Sequence, residues 1–208
     1  MARIFSTIGR LSVFVALVGL VAGGCTHRPE GVASRADAEG VPTPSGEAGK
    51  GLGLDSLDEP APDFLVHPAG AAPQSFASLA AGHPVLLHLW ATWCTSCRAE
   101  LPDLAAFASG LAGDGVRFLA VAVEDESARP AVHRFLAGLA LPPGSSPVPE
   151  LLVPPSAPDV APYLTWGLPV TYLLDARGTV VGRALGARTW SATRGAKTAV
   201  LARLKRGG

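Results

Sequence analysis

The chain has 208 residues, enough for one domain of ordinary size plus targeting and linker segments. Lysine plus arginine equal aspartate plus glutamate at 17 each, so no net field draws the protein to nucleic acid or to an anionic surface. Its three cysteines, Cys25, Cys94 and Cys97, are too few for the disulfide framework of a small secreted domain.

The N-terminus carries Arg3 and Arg10 and no acid, then the apolar run LSVFVALVGLVA over residues 11–22, then Gly23, Gly24 and Cys25. This order reads as a secretory signal peptide over residues 1–24, with an apolar run shorter than the ~20 residues that span a bilayer core. Small residues directly before a cysteine resemble the lipobox of bacterial lipoproteins. The resemblance implies a lipidated Cys25 as first residue of the mature chain, although Ala22 stands where that family usually has leucine. An ordinary cleavage near Gly23 is the alternative; either way the remainder is exported, to the periplasmic side of a bacterial cell envelope, with a lipid anchor on the first reading.

Residues 25–57 have no hydrophobic period and many Gly, Pro, Ala and Ser residues, so a disordered tether is expected there, followed by a folded domain over residues 58–208. APDFLV and PQSFASL predict a short N-terminal hairpin. PVLLHLW, from Pro84, is a continuous apolar run that suits a strand buried on both faces. RAELPDLAAFASGLA places Leu101, Leu104, Phe107 and Leu111 at helical spacing, so a helix begins at Cys94 and Cys97.

VRFLAVAV, from Val116, predicts a second buried strand, and ESARPAVHRFLAGLA a second helix with Val132, Phe135, Leu136 and Leu139 on one face. The Pro- and Ser-rich stretch that follows offers a short strand at PELLV and a helical turn at DVAPYL. LPVTYLLD and TVVGRAL form a hairpin, and SATRGAKTAVLARLKR a closing helix. The order implies an α/β domain: a mostly parallel central sheet flanked by helices, made mixed by an antiparallel terminal hairpin, with an N-terminal hairpin extension.

Cys94-Thr95-Ser96-Cys97 lies where the apolar strand ends and the helix begins. Unpaired amides and the helix dipole at that point favour a thiolate on Cys94, which makes it both an attacking and a leaving sulfur. Cys97, one turn into the helix, is shielded and suited to resolving a mixed disulfide. The same spacing matches half of a zinc site, but the scattered His27, His67, His83, His88 and His133 supply no second ligand pair, so no metal is expected.

WATWCTSCRAELPDL, over residues 90–104, resembles the active-site segment of TlpA/ResA-like thioredoxin-fold proteins, whose motif is W-x-x-W-C-x-x-C-x-x-E-x-P. APDF, VAVED and GLPVTYLLD extend the resemblance from about Ala61 to the closing helix. It implies a thioredoxin-like fold and a thiol-disulfide oxidoreductase with Cys94 and Cys97 as the redox-active disulfide. It also implies a cis Leu168-Pro169 bond facing the cysteines, so that the Leu168 backbone can pair with an extended substrate as a short strand. Glu100 corresponds to an acid that tunes the cysteines; the plainer reading is a solvated acid in the first turn. Trp93, with Leu168 and Pro169, would form the substrate surface.

Many thioredoxins hold a buried acid six residues before the first cysteine, and here that position is His88, either a core residue or a group that adjusts Cys97. Thr95 and Ser96 replace the more familiar dipeptides, so the potential is left open. The expected clients are disulfide-containing envelope proteins, of the cytochrome c maturation or metal-site assembly type, with an upstream membrane thiol donor resetting the pair. No cofactor is implied, because the cysteines store both electrons. The competing functions are a peroxiredoxin-like thiol peroxidase, which needs a threonine where Ala91 stands, and a partner-binding domain without thiol exchange.

Overall fold

This computed structural model describes residues 51–205, and they open with an arm that composition had assigned to the tether. Leu52 is 3% exposed, and Leu54 packs against the same apolar cluster. Asp55 exchanges backbone hydrogen bonds with Arg183, and its carboxylate meets the Arg183 guanidinium at 2.9 Å. The folded part therefore begins several residues before position 58. Apolar side chains isolated among glycines carry no period, which is why composition alone hid their packing. The expected signal peptide, Cys25 and the rest of the expected tether lie outside the described residues.

The elements that follow are β1 (Glu59–Pro60), β2 (Leu65–Pro68), β3 (Gln74–Ser75), α1 (Phe76–Ala80), β4 (Val85–Trp90), α2 (Thr95–Ser109) and β5 (Arg117–Val123). After them come α3 (Arg129–Ala137), β6 (Leu151–Val153), α4 (Ala161–Leu164), β7 (Val170–Leu174), β8 (Thr179–Leu185) and α5 (Ala196–Leu204). PQSFASL splits between two elements. Gln74 and Ser75 pair with β2, and Ser75 Oγ then accepts the Ser78 N–H at 3.3 Å, capping a helix that starts at Phe76.

The sheet order is β1-β8-β7-β4-β5-β6-β2-β3. All six residues of β4 are buried, as a run without alternation requires. β5 takes one edge of β4 in parallel, and β7 takes the other in the antiparallel sense. Among the described residues only the β4–β5 and β5–β6 pairs are parallel. The terminal hairpin therefore lies inside the sheet and not at its rim. Strand alternation suggested more parallel pairing because it does not reveal that the chain, having passed α4, enters beside β4 from the opposite end.

Val85, Leu87 and Leu89 face a cluster with α1 and α4 in which Phe64 and Phe76 stack at 4.9 Å between centroids. Tyr163 and Tyr172 complete it, and each hydroxyl donates to a main-chain oxygen, Pro62 at 2.6 Å and Tyr163 at 2.9 Å, so no phenol is buried unpaired. Leu86 and Trp90 face the other side, under α2, α3 and α5. Among the described residues no helix is long and apolar enough to cross a membrane.

Leu52→Ala is expected to destabilise the protein by about 2–3 kcal/mol, read as a lower urea midpoint at an unchanged slope. A change within a few tenths of a kcal/mol would mean the arm is not part of the fold.

Candidate active site

β4 ends at the fully buried Trp90, whose ring lies 5.1 Å from Phe135 of α3. The turn that follows is pinned from the next strand: Glu124 Oε1 accepts the Thr92 N–H at 2.7 Å and the Thr92 hydroxyl at 2.6 Å. Cys94 is then the N-cap of α2, and its Sγ accepts the Cys97 N–H at 3.2 Å. The two cysteines form a disulfide. Cys94 is 7% exposed, Cys97 is fully buried, and Trp93 beside them is 69% exposed. On reduction, the Cys94 sulfur lies where first-turn amides and the helix dipole stabilise a thiolate, while Cys97 is shielded from solvent.

The Leu168-Pro169 peptide bond is cis. Leu168 packs against the apolar cluster that contains Cys94 and Cys97, which brings the loop before β7 to the disulfide. The Pro169 carbonyl accepts from the Gly186 N–H at 3.0 Å, whereas the Leu168 N–H and C=O make no hydrogen bond among the described residues. An extended backbone can therefore pair with Leu168.

Glu100 is 4% exposed, not a solvated acid. Its Oε1 accepts from Trp190 Nε1 at 2.6 Å and from the Arg188 N–H at 3.2 Å, while Oε2 is buried without a partner. Burial pushes its pKa up to about 7; the two hydrogen bonds and the Arg188 charge act in the opposite direction, and Asp103 adds to the rise. Asp103, one turn on, accepts the main-chain N–H groups of Trp190 at 2.5 Å and Ser191 at 3.2 Å. Two acids of α2 thus clamp the loop between β8 and α5. Pro102 between them cannot return a hydrogen bond to the preceding turn, which frees the helix locally from its regular pattern.

His88 is fully buried on the α2 side of β4, the face it shares with Leu86 and Trp90. Its Nδ1 lies 2.9 Å from Thr171 Oγ1, and its Nε2 has no partner. Burial holds its pKa down to about 3, so the ring is neutral across the physiological range.

The structure thus brings Cys94, Cys97, Leu168 and Pro169 together, with Trp93 exposed at the rim and Glu100 one turn beyond Cys97. Sequence reasoning gave no role to Trp190, Arg188, Asp103, Thr92 or Glu124. The one available signal was the pair of acids at positions 100 and 103, which share a helical face. Cys25 lies outside the described residues.

A disulfide at the start of a helix, beside a cis-proline loop and at the end of a central strand, defines a thioredoxin-fold dithiol-disulfide protein. The AhpC/TSA family model matches residues 57–196, and the chain belongs to that family, as a thiol-disulfide oxidoreductase. It is similar to the thiol:disulfide interchange protein HelX of Rhodobacter capsulatus, 32% identical over 62% of this chain and 68% of that one. It is also similar to the thiol-disulfide oxidoreductase ResA of Bacillus subtilis, 31% identical over 67% of this chain and 74% of that one. A thioredoxin-family thiol:disulfide interchange protein from Chlorobium tepidum has the same fold, with a TM-score of 0.52 at 25% identity over 70% of this chain and 99% of that one.

An acid with a pKa near 7 in the folded state and about 4.5 when unfolded binds more protons when folded, so its ionisation destabilises the fold as pH rises through that window. The wild type should lose on the order of 3 kcal/mol across that window relative to Glu100→Gln, measured by denaturant unfolding as a function of pH. In Trp190→Phe, loss of the indole donor should move the Glu100 titration, followed by carboxyl 13C NMR, above 7. Parallel pH curves for wild type and Glu100→Gln would contradict the buried-acid assignment.

Proposed function

We propose that this chain is an exported reductant of envelope proteins, held at a membrane through a lipid on Cys25 and a tether over the residues that follow. The observation that supports it most is the Cys94–Cys97 disulfide capping α2 beside the Leu168-Pro169 loop. In the reductive cycle, the Cys94 thiolate attacks a client disulfide, forming a Cys94–client bond and releasing one client thiolate. The Cys97 thiolate then attacks Cys94 Sγ, closes the internal disulfide and releases the second client thiolate. A membrane dithiol donor returns two electrons and restores both thiols.

Leu168, with its free N–H and C=O, holds the client backbone against Pro169, while the exposed Trp93 covers the apolar side chains next to the client cysteine. Glu100, with a pKa near neutrality, exchanges the proton that must leave the cysteines as each thiolate forms. The clients in this reading are envelope proteins whose cysteines must be reduced before haem or metal attachment, the class that the resemblance of the CxxC segment to TlpA/ResA-like proteins implies. A peroxidase is disfavoured by Ala91, which lacks the hydroxyl such a site needs near its sulfur.

Cys97→Ser should accumulate mixed disulfides between Cys94 and envelope proteins, visible as reductant-sensitive adducts on non-reducing gels. Cys94→Ser should show none. Equal adduct formation by both variants would assign the attack to the wrong sulfur.

A further inference from the structure

Where the first turn of α2 meets α3, a cleft of about 460 Å³ opens beside the redox pair. Thr92, Arg98, Ala131, Arg134 and Phe135 line it. Thr92 precedes Cys94 by two residues, and Arg98 follows Cys97 directly, so one wall of the cleft is continuous with the CxxC segment. The Arg98 guanidinium stands 5.8 Å from the centroid of the Phe135 ring, which braces it by a cation–π contact and supplies an apolar floor.

The charge here is unbalanced. Among the described residues neither Arg98 nor Arg134 has an ion pair or hydrogen bond to an acid. Arg129, on the same helix as Arg134, is the contrast: it is saturated by Glu126, Glu150 and the His67 carbonyl. The acid behind the cleft, Glu124, is buried at 9% exposure, and its Oε1 is taken by Thr92. It offsets part of the positive field without pairing with either guanidinium.

We propose that this cleft is a specificity subsite for an acidic side chain of the client polypeptide, close in sequence to the client's reacting cysteine. The inference rests on the reductase reading above and adds a client preference to it. Two guanidinium groups without an acidic partner, that of Arg98 over the Phe135 ring and that of Arg134 on the same cleft, match a carboxylate in both charge and shape, because the planar fork donates two parallel hydrogen bonds. The occupant is a polypeptide because the cleft lies beside the cysteines and not over them. An extended client, advancing ~3.3 Å per residue, brings a side chain into it within a few residues of its cysteine. The carboxylate then holds the client while Cys94 reacts, which acts on capture and not on the sulfur chemistry.

The test uses the full chain in its reduced form and three synthetic peptides closed by one disulfide, which differ only in Glu, Gln or Lys two or three residues from a cysteine. Reduction is followed by thiol trapping. At low salt the Glu peptide should react about tenfold faster than the Gln peptide, and the ratio should shrink at 0.5 M salt, the screening expected for exposed charges. Arg98→Gln/Arg134→Gln should bring the ratio near one, and Arg134→Glu should make the Lys peptide the preferred substrate. Both arginines are exposed, so these changes leave the core intact.

Equal rates for the Glu and Gln peptides in the wild type, or a ratio that survives the double substitution, would overturn the subsite. A preference seen only between oxidised glutathione and cystamine, small disulfides with and without carboxylates, would overturn the polypeptide assignment. Reduction of none of the peptides would count against the reductase reading itself, a different failure from equal reduction of all three.

Discussion

The site depends on the burial of β4. The strand VLLHLW, buried on both faces, ends at Trp90, and a short turn leads from it into the first turn of α2, so the sulfur of Cys94 is delivered to the amides of a helix N-terminus. The Cys97 N–H already points at Cys94 Sγ at 3.2 Å, so the hydrogen bond that would stabilise a thiolate exists before reduction. Thr92 and Glu124 hold the intervening turn, and β7, packed on the other edge of β4, carries Pro169 to the same end of the sheet. Cysteine reactivity here follows from where a buried strand stops.

A second layer of control lies beneath the helix. Glu100 and His88 are both buried on the α2 side, and burial drives each toward its neutral form, with the acid near 7 and the imidazole near 3. The two groups are therefore not equivalent. His88 stays neutral throughout the physiological range and fixes Thr171 by its hydrogen bond, whereas Glu100 changes charge close to neutrality. Trp190 and the Arg188 main chain keep Glu100 from drifting still higher, and Asp103 holds their loop in place. The loop between β8 and α5 thereby ties the end of β8 that lies beside Pro169 to the cysteine-bearing helix.

The features readable from sequence were those that local pattern or a tight motif encodes. The run at residues 85–90 announced a doubly buried strand, the helical spacing of Leu101 and Leu104 placed the cysteines at a helix start, and the CxxC segment carried the class of chemistry. What stayed hidden depends on contacts between residues distant in sequence. Trp190 lies 90 positions from the carboxylate it touches, and Asp55 lies 128 positions from Arg183. The antiparallel entry of β7 beside β4 is also a topological fact, which no window along the chain contains. Leu52 went unread for a simpler reason: a lone leucine between glycines looks like linker until its partners are known.

The central claim is that Cys94 and Cys97 cycle between dithiol and disulfide at a potential suited to reducing clients. Its most direct test is equilibration of the purified protein in glutathione or dithiothreitol redox buffers, with thiol trapping of the two cysteines. The account predicts a single reversible two-electron transition near thioredoxin's roughly −270 mV or lower. A potential near DsbA's roughly −120 mV would reverse the direction of electron flow, and the absence of any reversible transition would contradict the account outright.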